Sequence, residues 1–333
     1  MKTAVVILNW NGQALLQKFL PSVIRYTPSA EVVVADNAST DDSLEWLAAN
    51  YPEVTCIPME VNRGYAGGYN EALSKIEADT IVLLNSDIEV TPNWLEPLTT
   101  HLNENPMVSI CQPKIRSYKE KSSFEFAGAA GGMIDFLGYP FCRGRIFNTV
   151  EIDSGQYDSE QDIFWASGAC MVIRKKVFEE LDGFDHNFFA HMEEIDLCWR
   201  ALNSGHEIKY IPRSTVYHLG GATLDKSNPK KTYLNFRNNL SMIYKNLPGS
   251  HLIPVIGLRL ILDGIAGIKF LLEGHPADTS AVIRAHFHFY GRVLSRKIKR
   301  GINVSSLPKV VHKKSILLEY YVLGRKKFSD LKK

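Results

Sequence analysis

Five cysteines in 333 residues, none of them in CxxC spacing, exclude a cysteine-built zinc site and a disulfide framework. Cys56, Cys111, Cys142, Cys170 and Cys198 are scattered and odd in number, the usage expected in a reducing compartment. No uncharged apolar run is long enough to cross a bilayer. The best candidate, 252–272, carries Arg259, Asp263 and Lys269. Central charges cost about 2.5–3.5 kcal/mol each on insertion scales, while each strongly apolar residue returns about 0.3–0.6, so the sum is near zero or unfavourable. The three charges and Glu273 fall within roughly a 120° arc of a helical wheel, so a packed or interfacial helix is expected rather than a spanning one. At the start of the chain one lysine precedes a short apolar run, Ala4 to Trp10, with no small-residue cleavage site behind it. This predicts a first strand and not a signal peptide. Repeats and low-complexity tracts are absent.

What is present is ordinary globular composition, 45% apolar and 22% charged, in a length that suits one large domain or one domain plus an extension. The net charge of +2 is unevenly placed: from Arg284 onward 14 Lys/Arg face 2 acids, a local +12, so residues 1–283 carry −10. A basic tail on an acidic body favours a polyanionic partner, and the plain alternative is a solvated helical tail. Beside the amphipathic 252–272, an anionic membrane surface is the expected partner and nucleic acid is not.

Strand-like and helical patterns alternate through the first part of the chain. Strands are expected over 3–9, 31–37, 54–59, 80–85 and 107–115, and helices over 13–26, 41–51, 66–76 and 91–105, the last capped by Thr91 with Pro92 behind it. Such alternation predicts a mostly parallel α/β sheet covered on both faces, with ligands beyond the carboxyl ends of its strands. Residues 116–162 read as an irregular or hairpin insertion, 165–175 as a buried strand, 193–205 as a helix with acids in its first turn, and 207–212 as a further strand. From about 230 the chain reads as helical and basic. Asp36 and Asp87 follow apolar runs at strand ends, Glu193, Glu194 and Asp196 open a helix, and His218 stands in "YHLGGAT". Each has a plain structural reading, as a cap, a helix-dipole partner or a core histidine. Their joint placement at strand ends points to a site.

The segments "VVILNWNG", "VVVADNASTDDS", "NRGYAGGYNEAL", "LLNSDIEV", "SGACMVIRK", "GFDHNFFAHMEEIDLCWRALNSG" and "YHLGG" occur in that order. Together, over residues 3–245, they resemble family 2 glycosyltransferases of GT-A fold, especially the rhamnosyltransferase-like branch that builds bacterial surface polysaccharides. The resemblance implies a GT-A domain over 1–225, with a helical, basic extension over 226–333. It implies a donor site in which Asp36 reads the pyrimidine of a nucleotide-sugar, flanked by Asn9, Trp10, Asn11 and Asn37. Arg63 and the bare helix start at Gly67 would serve the nucleotide or its phosphates. "NSD" occupies the family's DxD position, with Asn85 for the first Asp, Ser86 as helper and Asp87 as metal ligand. His218 would complete the shell of a divalent cation, Mn²⁺ or Mg²⁺. Glu194 stands where the family places its general base, with a Glu for the usual Asp and Glu193 as the neighbouring candidate. Trp165, Ser167, Gly168, Asp196 and Arg237 fall on the acceptor and sugar side, and 219–232 would form a lid.

The expected activity is inverting, metal-dependent sugar transfer from dTDP-rhamnose or a UDP-sugar to a glycan or lipid-linked acceptor. The expected place is the cytoplasmic face of the cell membrane, peripherally. Two rivals remain. A nucleotidyltransferase would show an N-terminal Gly-rich triphosphate loop, which "NWNGQALLQKF" does not provide. An inactive nucleotide-sugar scaffold is kept open by Asn85 and Glu194.

Overall fold

The structure, a computed structural model, describes residues 2–220, 228–301, 304 and 306–332. β1 (Thr3–Asn9), β2 (Glu31–Asp36), β3 (Thr55–Pro58) and β4 (Thr80–Asn85) pair in parallel in the order β4–β1–β2–β3, with α1 (Gln13–Tyr26), α2 (Ser43–Asn50) and α3 (Gly64–Ser74) as crossovers. The continuous Val, Ile and Leu runs of β1 and β4 are buried because helices cover both faces. β5 (Ile88–Val90) precedes α4 (Glu96–Glu104) and β6 (Val108–Ser117). Thr91 does not cap α4. Its Oγ1 donates to the Thr215 carbonyl (2.7 Å), the chain turns at Trp94, and the helix starts at Glu96 with Pro97 in its first turn.

The insertion is a small antiparallel sheet of its own, β7 (Gly132–Ile134), β8 (Pro140–Cys142), β9 (Arg145–Ile146) and β10 (Thr149–Val150). The chain rejoins the main sheet through β11 (Gln161–Asp162), β12 (Cys170–Arg174) and β13 (Glu207–His218), with α5 (Lys175–Glu180) and α6 (Glu193–Asn203) between the last two. β12 is shorter than the expected 165–175, because the Cys170 amide donates to the Ser167 carbonyl in a turn (3.1 Å). It lies antiparallel between β4 and β6, while β13 runs parallel to β6. So β1, β2, β4, β6 and β13 end at one edge and the reversed β12 begins there, Cys170 opposite Leu84. That edge gathers Asn9, Asp36, Asn85, Asp87, Gly168 and His218.

α7 (Pro229–Asn246), α8 (Gly249–Leu272) and α9 (Pro276–Leu294) pack on one another, and α7 packs on α6. The expected boundary at 225/226 lies outside the described residues. Among those residues no helix is long and apolar enough to cross a membrane. The charged arc of α8 divides: Arg259 and Asp263 face inward, buried and paired (3.2 Å), while Lys269 and Glu273 are exposed and pair with each other (2.7 Å). The chain after α9 returns to the insertion. The His312 amide donates to the Ile134 carbonyl (2.8 Å), Ile316 to Asp135 Oδ2 (2.9 Å) and Phe328 to Glu151 Oε1 (3.0 Å). Ile316 joins Phe141 and Ile146 in a small core there.

Candidate active site

The loops after β1 and β2 are laced into one floor. Asn9 Nδ2 donates to Asp36 Oδ1 (2.9 Å), Ser39 Oγ to the same oxygen (2.6 Å) and the Ser39 amide to Oδ2 (2.9 Å). Asn11, with φ 49°, gives its amide to Ser39 Oγ (2.9 Å) and takes the Thr40 amide on Oδ1 (2.7 Å). A carboxylate has about four acceptor sites. Three on Asp36 are filled, which leaves Oδ2 able to accept once more. Asn9 Oδ1 is buried without a partner and awaits a donor. Trp10 beside it is exposed.

The other residues expected to hold the nucleotide are used internally. Asn37 Nδ2 donates to Asn62 Oδ1 (3.2 Å) and the Gly64 carbonyl (3.0 Å), and its Oδ1 takes the Arg63 amide (3.0 Å). The Arg63 guanidinium pairs with Glu71 at 2.6 Å in the open. The expectation of bare amides at the start of α3 is corrected. Tyr65 N (2.8 Å) and Ala66 N (3.4 Å) donate to the Phe189 carbonyl. Gly64 sits at φ +70°, where an added Cβ would come within 2.5 Å of that carbonyl oxygen, and Gly67 abuts Arg63 Cβ. Gly64 thus lets the start of α3 sit against the Phe189 loop.

On the neighbouring strands, Asp87 and His218 meet. His218 Nε2 lies 3.1 Å from Asp87 Oδ1, Glu125 Oε2 stands 3.4 Å behind Nδ1, and the Gly220 amide donates to Asp87 Oδ2 (3.2 Å). All three side chains are buried. Burial works against the charged imidazole, but Asp87 and Glu125 outweigh it and hold His218 up at about 10. Asn85 and Ser86 are half-buried beside this pair. Among the described residues no group of three His, Cys, Asp or Glu surrounds one point. The Asp87 carboxylate, and the His218 imidazole once a cation displaces its Nε2 proton, with phosphate oxygens and water in the remaining positions, suit a Mg²⁺- or Mn²⁺-type ion, which binds through few protein ligands when phosphates share it. Residues 221–227 of the expected lid lie outside the described residues.

Glu193 and Glu194 open α6 after a contorted approach. Phe189, His191 and Met192 all have positive φ (66°, 71° and 74°). Such non-glycine backbone costs about 1–3 kcal/mol per residue and persists only when its surroundings hold it. Asn238 does so: its Nδ2 reaches the carbonyls of Phe188 (3.0 Å), Ala190 (2.9 Å) and His191 (2.8 Å). Arg237 Nη2 adds the carbonyls of Asn187 (3.1 Å) and Phe188 (3.2 Å). Tyr65 ties the loop to the sheet edge, its amide on Phe189 and its hydroxyl on the Gly168 carbonyl (2.7 Å). Glu193 is 4% exposed and Glu194 half-buried, and each has an Oε2 buried without a hydrogen-bond partner. A helix start would lower a carboxyl pKa by less than burial raises it. Desolvation, then Glu194, pushes Glu193 well above the glutamate range. Desolvation, opposed by backbone amides, raises Glu194 to about 7.

The acceptor-side residues divide. Ser167 is buried, donating to the Ala127 carbonyl (2.9 Å), and locks the insertion to the edge. Trp165 is buried and gives its indole N–H to the Met133 carbonyl (2.9 Å), so it is core and offers no open face to a sugar. Asp196 is likewise corrected: Arg200 (2.8 Å), Lys245 (2.9 Å) and Asn246 (2.8 Å) occupy its oxygens and tie α6 to α7. Arg237 holds a loop, as above.

Residues 4–182 match the family described as Glycosyl transferase family 2. The chain belongs to that family. Among its relatives is the N-acetylglucosaminyl-diphospho-decaprenol L-rhamnosyltransferase of Mycobacterium tuberculosis (strain ATCC 25618 / H37Rv), 27% identical over 231 residues that cover 64% of this chain and 75% of the relative. Another is the low-salt glycan biosynthesis hexosyltransferase Agl10 of Haloferax volcanii, 25% identical over 282 residues, 81% of this chain and 85% of that one. In fold the chain is similar to GalNAc-T7 with UDP, GalNAc and Mn²⁺, at TM-score 0.57 and 18% identity, over 73% of this chain and 47% of that one, about half its length.

In this family 2 glycosyltransferase the structure brings three further residues to the candidate site, Glu125, Tyr65 and Asn238. Glu125 lies in an insertion without periodicity, and Tyr65 in a Gly-rich stretch whose reading falls on Arg63 and Gly67. Asn238 is signalled only as the partner of Arg237. All three act across long sequence separations, which local pattern does not encode.

Proposed function

We propose that the protein is an inverting, metal-dependent glycosyltransferase. It would move a sugar from a pyrimidine nucleoside diphosphate sugar, dTDP-rhamnose or a UDP-sugar, to a hydroxyl of a glycan or lipid-linked acceptor. The observation that carries this reading is the pair of carboxylates at the start of α6, each with one buried oxygen that has no hydrogen-bond partner, and both held above the glutamate range by burial. A binding scaffold has no use for such groups, whereas a general base works best when its pKa lies near the operating pH. Glu194, the more open of the two, takes the proton of the acceptor hydroxyl as its oxygen attacks the anomeric carbon. The bond to the diphosphate breaks on the opposite side, so configuration inverts. Asp36 Oδ2 accepts the N3–H of uracil or thymine, and Asn9 Oδ1 is available to a further donor. Asp87 and His218 would hold Mg²⁺ or Mn²⁺, which when bound supplies positive charge to the departing diphosphate. The Mycobacterium relative's name supports a rhamnosyl donor and a lipid-linked acceptor, and the Mn²⁺ with GalNAc-T7 supports the cation.

The test is release of nucleoside diphosphate from a panel of UDP-, dTDP- and GDP-sugars with Mn²⁺. Pyrimidine donors are expected to turn over. Asp36→Ala is expected to weaken UDP or dTDP binding by about 1.5–3 kcal/mol, the range of a hydrogen bond to a charged group. Equal binding of purine and pyrimidine nucleotides would overturn the assignment of Asp36.

A further inference from the structure

α8 is built inside out. Arg259 and Asp263 are sequestered against the body: Arg259 reaches the Leu137 carbonyl (3.2 Å) and Asn239, and lies 3.9 Å over the Tyr139 ring. Asp263 takes the Tyr139 hydroxyl (3.1 Å) and His286 Nε2 of α9 (3.1 Å). These contacts fix the roll of the helix. Between His251 and Lys269 every exposed position of α8 is then Ile, Leu, Gly or Pro. Ile253 is 83% exposed, and Ile261, Ile265 and Ile268 are open beside it. α9 continues the face with Phe287 (72%) and Leu294 (83%). An apolar groove of about 220 Å³ runs between the two helices, past Leu260, Gly264, Ile283 and Phe287. Soluble surfaces scatter such side chains singly, and a continuous strip marks a contact surface.

Charge selects the occupant. Exposed Arg284 on α9 and Arg296, Lys297 and Lys299 just after it belong to a segment of net +12 from Arg284 onward. A second copy docking by a twofold axis would set this cationic segment against itself. Anionic headgroups would neutralise it, each basic residue near the surface adding to attachment, while the side chains of the strip enter the acyl boundary. We infer that the outer face of α8 and α9 is a bilayer-docking surface that lies flat on anionic lipid. It is coupled to the catalytic loop through α7. Tyr233 shares a hydrogen bond with His288 of α9 (2.7 Å), and one turn on, Arg237 grips the Asn187 and Phe188 carbonyls.

The experiment is flotation of the full chain with vesicles of phosphatidylcholine alone and of an equal mixture with phosphatidylglycerol, at low and high salt. It needs no turnover, so it stands or falls apart from the catalytic reading. The wild type is expected to float with the anionic vesicles, less at high salt. The double variant Ile261→Glu/Ile265→Glu, altered only at open positions, is expected to lose at least tenfold in bound fraction with unchanged melting temperature. Flotation equal in both proteins, or none by the wild type, overturns the inference. So does a stable dimer in light scattering that the double variant dissolves, because the strip would then be a protein interface.

Discussion

Glu194 is protonated in both folded and unfolded chains at low pH and costs nothing there. The unfolded side chain ionises near its ordinary 4.5, the folded one near 7. Stability is therefore lost as pH climbs between those values, by on the order of 3 kcal/mol once both states are ionised. With Glu194 as the proposed base, catalysis is expected to have the opposite slope, since only the ionised carboxylate takes a proton. Glu194→Gln is expected to cut turnover by ~10²- to 10⁴-fold with donor binding retained. It should also raise the melting temperature at about pH 8 and leave it unchanged at about pH 4. Wild-type kcat/KM should rise with pH to a break near 7. A Gln variant no more stable than wild type at the higher pH would refute the burial argument. Asn238 gives a second residue-scale prediction. Asn238→Asp keeps the shape and the acceptor for Arg237 but replaces the Nδ2 donor with an acceptor oxygen facing three carbonyls. It is expected to lower kcat more than Asn238→Ala does, with donor KM nearly constant in both. A filler role would rank them the other way, because Asp fits the space and Ala does not.

At the scale of elements, the strand–helix succession from β1 to β4 was legible because its periodicity is local, and so was the arrival of Asp36 and Asp87 at strand ends. The insertion was legible as a hairpin or irregular segment, but the bounds of β7 to β10 were not, because strands of two or three residues carry little alternation to read. The reversal of β12 escaped because direction depends on its neighbours. Arg259 and Asp263 marked one face of α8 in the sequence, but which way that face turned depended on Leu137, Tyr139, Asn239 and His286, all remote along the chain. The same remoteness hid Glu125 behind His218. The junction of β4 and β13 makes its own prediction. Asp87→Ala should abolish transfer and remove the extra melting temperature that Mn²⁺ gives over UDP or dTDP alone, since ligand bound only to the folded state stabilises it. A variant that keeps this increment would place the cation elsewhere.

Over the whole molecule, an acidic body and a basic tail are joined by more than the three helices. The chain after α9 comes back to seat His312, Ile316 and Phe328 on the insertion. Ile316 and its partner Asp135 are 181 positions apart. On a ribosome adding about 5–20 residues per second, that gap is roughly ten to forty seconds. During that interval the strands that assemble the donor edge through β4 are already made, while Phe141 and Ile146 wait without their cover. The insertion is thus the part of the nascent chain that stays exposed longest after synthesis. Slower elongation lengthens that exposure and faster elongation shortens it.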